Sequence, residues 1–121
     1  MKTLYCILAV FVGSGLGGVL RWVIGILCAN LNANYPWGTL LVNVLGCLLL
    51  GYLTRVTPGD MYLKLLLTTG FCGGFTTFST FVNENLLMMR SGQLFAALGY
   101  LALSLVLGLL AARLGFALGN S

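Results

Sequence analysis

The sequence predicts an all-α membrane protein with four transmembrane helices. Of its 121 residues, 60% are hydrophobic and 7% are charged, whereas an ordinary soluble domain carries about 25% charged residues. The mean hydropathy is +1.04, so the chain has too few polar groups to cover a surface that faces water. Its few charged side chains also separate four apolar stretches, each close to the ~20 residues that cross a bilayer.

We place the spans at residues 4–29, 37–53, 62–89 and 93–118, within a single transmembrane domain of residues 1–121. The first span lacks the short apolar core and small-residue cleavage site of a signal peptide, so we expect it to stay in the protein. The connections at 30–36, 54–61 and 90–92 contain Asn, Pro, Ser or Gly, which favour turns. Connections this short make neighbouring helices antiparallel.

Charge and cysteine content exclude other classes. The net charge is +4, but the basic residues stand singly, without the basic patch of a nucleic-acid-binding protein. The chain has no His and no CxxC pair among its four cysteines, so a zinc site is not expected. Four basic residues lie nearer the side of the termini and two lie nearer the other side. This bias leans towards cytoplasmic termini, and it is small enough to permit insertion in both orientations.

The third span combines glycines and threonines in a way that predicts a helix break near residues 73–77. Gly70, Gly73 and Gly74 precede Thr76 and Thr77, and each glycine weakens a helix by about 1 kcal/mol relative to Ala. A broken helix survives in lipid only where protein or a water-filled path satisfies its backbone. Such breaks often expose carbonyl oxygens to a cation, although a simple packing kink is the alternative.

Polar and aromatic residues follow this break. On a helical wheel the hydroxyl, amide and acid side chains fall on one side, whereas Phe78 and Phe81 share the other, with Ser79 between them. The polar set is Thr76, Thr77, Thr80, Asn83 and Glu84. A polar stripe inside a membrane span indicates a bundle interior or an aqueous path. The alternatives are lipid-facing phenylalanines and a Glu84 that lies in the membrane interface.

Polar residues in the neighbouring spans extend this pattern. Asn43 is the polar residue well inside the second span, and its amide can donate two hydrogen bonds, although packing between helices is the alternative role. Tyr100 and Ser104 lie one turn apart in the fourth span. Phenylalanine ring edges are electropositive, so ring edges alternating with hydroxyl donors suit a small, strongly hydrated anion. Nothing resembles a catalytic set, because there is no His and no close pair of acids. We therefore do not expect an enzyme.

Four motifs together resemble the Fluc (CrcB) fluoride channel family. These motifs lie in the first three spans, and the resemblance as a whole extends from the first helix to the fourth. The motifs are Gly17-Gly18-x-x-Arg21, the stretch from Gly38 to Gly46 around Asn43, the run Gly70-x-x-Gly73-Gly74-x-Thr76-Thr77-Phe78-Ser79-Thr80-Phe81, and Glu84 one turn later. The resemblance implies a passive, fluoride-selective channel in a bacterial inner (plasma) membrane that relieves fluoride toxicity. It also implies an antiparallel, dual-topology homodimer with two pores and a structural sodium ion at its centre.

The resemblance also implies roles for individual residues. Phe78 and Phe81 would line the fluoride paths, and Asn43 would reach the ion or a phenylalanine from an aqueous vestibule. Arg21 would lie near a pore entrance, and the backbone carbonyls of Gly73 and Thr76 would bind the sodium ion. The candidates for the polar track are Thr77, Ser79, Thr80, Tyr100 and Ser104, with Glu84 near its far end. Gly108 stands where the family pattern leads us to expect a further hydroxyl.

Two other functions fit a chain of this size. A small multidrug exporter is also a four-helix, dual-topology dimer, but it needs a membrane-embedded acid, usually in its first helix. The first span here contains no acid. A non-transporting assembly subunit would use the glycines for packing alone, and would leave the hydroxyl stripe, the break and the paired phenylalanines unexplained.

Overall fold

The computed structural model describes residues 2–31, 36–56, 59 and 61–119, and all of its regular elements there are helices. The elements are α1 (Lys2–Leu31), α2 (Trp37–Val56), α3 (Met61–Lys64), a π-helical segment (Leu65–Cys72), α4 (Gly73–Phe75), α5 (Phe78–Arg90) and α6 (Leu94–Leu118). In this part of the chain, four stretches are long and apolar enough to span a membrane. The prediction of four long apolar helices is therefore confirmed.

The helices extend beyond the limits predicted from the sequence. Asn30 and Leu31 belong to α1, and α2 continues to Val56, so the first two connections are shorter than expected. The other predicted turn residues of those connections, at 32–35, 57–58 and 60, lie outside the described residues, as do residues 1, 120 and 121. After α5 ends at Arg90, Gly92 adopts φ 80°, a left-handed conformation that glycine takes without steric strain.

The third span, Met61–Arg90, has two halves that pack against different partners. Its first half comprises α3, the π-helical segment and α4, and it lies against α1. Its second half is α5, which packs against α6, and α6 packs along α2. The interruption between the halves therefore lies where the two helix pairs meet.

Glycine brings α1 into backbone contact with the first half of the third span. A Cβ atom at Gly17 would lie 2.7 Å from the backbone nitrogen of Phe75, and one at Gly13 would lie 2.8 Å from that of Phe71. On the facing helix, a Cβ at Gly74 would lie 2.8 Å from Ser14 Cα. Lipid removes the hydrophobic drive between membrane helices, so close approach of this kind provides their packing energy.

The α2–α6 pair uses the same device near the C-terminal ends of both helices. A Cβ at Gly51 would lie 3.0 Å from the backbone nitrogen of Phe116, and a Cβ at Gly115 would lie 2.9 Å from that of Tyr52. The guanidinium of Arg55 lies 4.4 Å from the ring centroid of Phe116, a cation–π distance. Together these contacts fix the C-terminal ends of α2 and α6 to each other.

Buried side chains then join α5 to this pair. The cluster contains Leu40 from α2, Phe81 and Met88 from α5, and Ala97 and Tyr100 from α6. Most other large apolar side chains are exposed. Outward-facing apolar residues of this number fit a surface that meets lipid, and do not fit one that meets water.

The glycine contacts generate a prediction about stability. Gly17→Ala places a methyl group against the Phe71 carbonyl and the Phe75 nitrogen, and overpacking of this kind costs roughly 1–3 kcal/mol. We expect a lower midpoint of thermal unfolding in detergent for Gly17→Ala. Gly15→Ala is the matched control, because a Cβ at Gly15 meets nothing within 4 Å. Equal midpoints for the two variants would contradict the packing role of Gly17.

Candidate functional site

The break in the third span lies at Thr76 and Thr77. Thr76 has φ −86° and ψ 158°, and Thr77 has φ −148° and ψ 121°, so both are extended between two helices. The glycine pair itself remains helical, since Gly73 and Gly74 belong to α4. Sequence reasoning attributed the break to glycine weakness. The structure instead uses Gly74 for close packing and assigns the extended backbone to two β-branched threonines, which favour that conformation.

Asn43 satisfies the backbone of Thr77 from the neighbouring helix. Its Oδ1 atom accepts a hydrogen bond of 2.8 Å from the Thr77 N–H, and its Nδ2 atom donates one of 3.2 Å to the Thr77 carbonyl. A single amide side chain thus binds both backbone groups of Thr77 at the break. This contact is also the packing role that the sequence left open for Asn43.

The break redirects two hydrogen bonds that a continuous α-helix would make. In such a helix the N–H of residue i donates to the carbonyl of residue i−4, so Thr77 would donate to Gly73 and Thr80 would donate to Thr76. Here the Thr77 N–H donates to Asn43, and the Thr80 N–H donates to Thr77 Oγ1 at 3.2 Å. The carbonyls of Gly73 and Thr76 therefore lose their helical donors. Gly73 is exposed, and a Cβ there would meet nothing within 4 Å.

Other polar groups at the break are already hydrogen-bonded. Arg21 is half-buried, and its Nε atom donates to the Gly74 carbonyl at 3.1 Å. The hydroxyl of Thr76 donates back to the Cys72 carbonyl at 2.9 Å. These bonds satisfy the Cys72 and Gly74 carbonyls in the way that lipid requires, and the Arg21 bond ties α1 to the first half of the third span.

An open groove of about 610 Å³ runs beside the break. Its walls come from α2, both halves of the third span and α6. It brings together seven of the residues selected from the sequence, namely Asn43, Gly73, Thr76, Thr77, Phe78, Phe81 and Ser104. Arg21, Ser79, Thr80, Glu84 and Tyr100 do not line it.

The two phenylalanines have different environments in this groove. Their ring centroids lie 6.2 Å apart with planes inclined at 42°, but Phe78 is 77% exposed whereas Phe81 is 7% exposed. Phe81 packs edge-to-face against Tyr100, with centroids 5.0 Å apart and planes at 63°. Phe78 therefore presents a free ring, whereas the ring of Phe81 is held in place.

Glu84 lies on the same side as Phe81, contrary to the helical wheel. Tyr100 is fully buried, and its hydroxyl donates to Glu84 Oε1 at 2.9 Å, so Glu84 and Phe81 both contact this one side chain. The wheel was wrong because it divided two residues that lie only about 60° apart: Phe81 and Glu84 are three positions apart in α5, a spacing that places both on one helix face. Glu84 is thus paired inside the bundle.

Sequence reasoning missed Thr39, whose hydroxyl lies close to the Glu84 carboxyl group. Thr39 is buried and lies one helical turn before Asn43 on α2. That i, i+4 spacing places both polar side chains on one helix face, and it is the signal that would have identified Thr39.

Ser104 has a free hydroxyl at the groove wall. Its Oγ atom is buried and has no hydrogen-bond partner among the described residues. Leaving a buried hydroxyl unsatisfied costs roughly 1–3 kcal/mol, so such a group marks a place where water or a polar ligand is expected. Gly108 also lines the groove one turn further along α6, and it supplies no side-chain donor there.

Comparison with known proteins shows that this chain is similar to proteins named as ion channels. A family model described as "CrcB-like protein, Camphor Resistance (CrcB)" matches residues 8–116. A protein of Phocaeicola vulgatus named Fluoride-specific ion channel FluC is 44% identical over 119 residues, which cover 95% of this chain and 96% of its own. A protein with the same name from Serratia proteamaculans is 46% identical over 116 residues, covering 93% and 91%. A third, from a Hydrogenobaculum species, is 40% identical over 117 residues.

The Tyr100–Glu84 hydrogen bond yields a second prediction. Tyr100→Phe keeps the ring against Phe81 but leaves Glu84 without one donor, which costs roughly 1–3 kcal/mol for a buried group. We expect a clear loss of unfolding free energy in detergent micelles. Tyr52→Phe is the control, because Tyr52 is 41% exposed. If the two variants lose the same stability, the hydrogen bond does not hold α5 to α6.

Proposed function

The chain belongs to the CrcB family, and from that premise we propose that it is a fluoride-selective ion channel. Relatives 40–46% identical to it are named fluoride-specific ion channels, a function that is not enzymatic. We further propose that the channel lies in the bacterial inner membrane, where it lets fluoride leave the cell passively and so relieves fluoride toxicity. The observation that carries the proposal is the groove, where free aromatic and hydroxyl groups meet beside a helix break.

The groove offers fluoride weak partners in succession. The exposed ring of Phe78 can present its electropositive edge, and the free hydroxyl of Ser104 can donate a hydrogen bond. Each contact replaces part of the lost hydration without holding the ion too tightly to leave. The ring of Phe81 is fixed by Tyr100. Asn43 lines the wall, and one of its two amide N–H groups is bonded to the Thr77 carbonyl, which leaves the other as a donor.

The remaining candidate residues would extend the fluoride path beyond these groove contacts. Thr77, Ser79 and Thr80 supply hydroxyls around the start of α5, while the hydrogen-bonded Tyr100 and Glu84 lie further into the bundle. Arg21 would act near an entrance, where a positive charge raises the local concentration of anions. In the structure Arg21 donates to the Gly74 carbonyl in the middle of the third span and does not line the groove, so this role rests on the family resemblance.

We propose that the carbonyls of Gly73 and Thr76 bind a structural sodium ion. Sodium is a hard cation that prefers oxygen ligands, and unwound backbone carbonyls in broken membrane helices coordinate it in transporters. The donor set fits, because these are the two carbonyls at the break whose helical hydrogen bonds are redirected. A bound cation would supply positive charge near the groove and would not travel with fluoride.

Two carbonyls of one chain leave most of a sodium ion's coordination shell to other ligands. We propose that a second copy, inserted antiparallel, supplies the same two oxygens, giving a homodimer with two pores. Gly73 supports this arrangement because it is exposed and has open space around its Cα atom. The small charge bias between the two sides is also compatible with dual insertion.

Fluoride efflux tests the proposed function directly. Proteoliposomes loaded with potassium fluoride should release the anion rapidly once valinomycin allows potassium to follow, and should retain it without the ionophore. Chloride-loaded vesicles should retain their chloride under both conditions. Equal release of both anions, or of neither, would contradict the selective channel. Proton-driven ethidium transport would favour the multidrug exporter instead.

The unequal environments of the phenylalanines make a further test possible. Phe78→Ile should lower fluoride efflux by about tenfold, which corresponds to roughly 1.4 kcal/mol of barrier, while leaving thermal stability unchanged. Phe95→Ile on α6 is the matched control, because Phe95 is 89% exposed and lies outside the groove. Phe81→Ile should lower both flux and stability, because Phe81 belongs to the buried cluster. Normal fluoride efflux in Phe78→Ile would show that the Phe78 ring does not line the fluoride path.

A further inference from the structure

We infer that Asn43 and Thr77 are positioning residues that keep the carbonyls of Gly73 and Thr76 available to a cation. The inference rests on the sodium site in the proposed function and assigns residues that prepare it. Neither side chain needs to touch the ion. Each acts by capturing a backbone N–H that would otherwise return to one of the two carbonyls.

Each of the two redirected hydrogen bonds frees one of the two carbonyls. Asn43 Oδ1 holds the Thr77 N–H at 2.8 Å, and this frees Gly73. Thr77 Oγ1 holds the Thr80 N–H at 3.2 Å, and this frees Thr76. An N–H carries positive partial charge, so an N–H returned to either oxygen would compete with a cation for it. The two capping bonds remove that competition before a cation arrives.

The amide of Asn43 is suited to this role because it binds both backbone groups of Thr77. Its Nδ2 bond to the Thr77 carbonyl holds that residue extended, so the helix cannot close across the break. Gly46, nearly one turn later on α2, lets α2 approach the break, since a Cβ there would contact the Thr76 side chain. The position of α2 and its amide together therefore keep the break open.

This arrangement couples the cation site to the groove. Asn43 lines the groove through the same amide group that holds Thr77. A substitution at Asn43 would therefore alter cation binding even where fluoride transport is not measured. This consequence distinguishes a positioning role from a role limited to contact with the anion.

The test measures sodium binding without relying on transport. The protein is purified in detergent without sodium, and its thermal midpoint is recorded against sodium chloride, with N-methyl-D-glucamine chloride keeping ionic strength constant. A wild-type midpoint that rises with sodium gives a half-saturating concentration. Asn43→Leu, which lacks both hydrogen bonds, should raise that concentration by about tenfold or abolish the response. Thr77→Val should raise it as well, whereas Thr77→Ser keeps the capping oxygen and should restore the wild-type value.

Thr54→Val is the matched control, because the Thr54 hydroxyl donates to the Leu50 carbonyl on the exposed end of α2. An unchanged half-saturating concentration in both Asn43→Leu and Thr77→Val would overturn the inference. If Asn43→Leu does not fold, the comparison of Thr77→Val with Thr77→Ser decides the question alone. A wild type that conducts fluoride but shows no sodium response would refute the inference and leave the channel intact. A sodium response without fluoride efflux would refute the channel instead.

Discussion

A helix that breaks inside a membrane must have its backbone groups satisfied, because lipid supplies no hydrogen bonds. In this protein the Asn43 amide meets that requirement by binding both the N–H and the carbonyl of Thr77. The rest of the site follows from this contact. It directs the start of α5 towards α6, it opens the groove beside the break, and it leaves the Gly73 carbonyl without its helical donor.

The glycine contacts make this arrangement possible, because they bring the two helix pairs close to the break. Gly17 and Gly74 set α1 against the first half of the third span, and Gly46 allows α2 to reach the Thr76 side chain. A methyl group at any of the three would separate backbones that must lie within hydrogen-bonding reach of one another. Close packing here therefore determines the chemistry of the site as well as its stability.

The four spans were predictable because the energetics of lipid act on composition and length, which are properties of the sequence. The neighbourhood of the break was predictable for the same reason, since glycines and threonines in mid-span are costly. The positions of individual side chains were harder to predict from the sequence. The wheel separated Glu84 from Phe81 because the sequence does not show which arc of α5 faces Tyr100 on α6. Pairing of α2 with α6 through Gly51 and Gly115 likewise depends on tertiary contacts. Residue-level roles came from the family resemblance.

The site places groups of opposite preference around one amide. Phe78 and Ser104, whose free ring and hydroxyl suit an anion, line the same groove as Asn43 and as Gly73 and Thr76, whose carbonyl oxygens suit a cation. Opposite charges attract strongly in a low-dielectric environment. A cation held by the carbonyls would therefore lower the cost of dehydrating fluoride in the groove. It would also hold the break in its extended form. The same helix break can therefore contribute both to anion selectivity and to the stability of the fold. A continuous helix could not do so, because all of its mid-span carbonyls would already accept backbone hydrogen bonds.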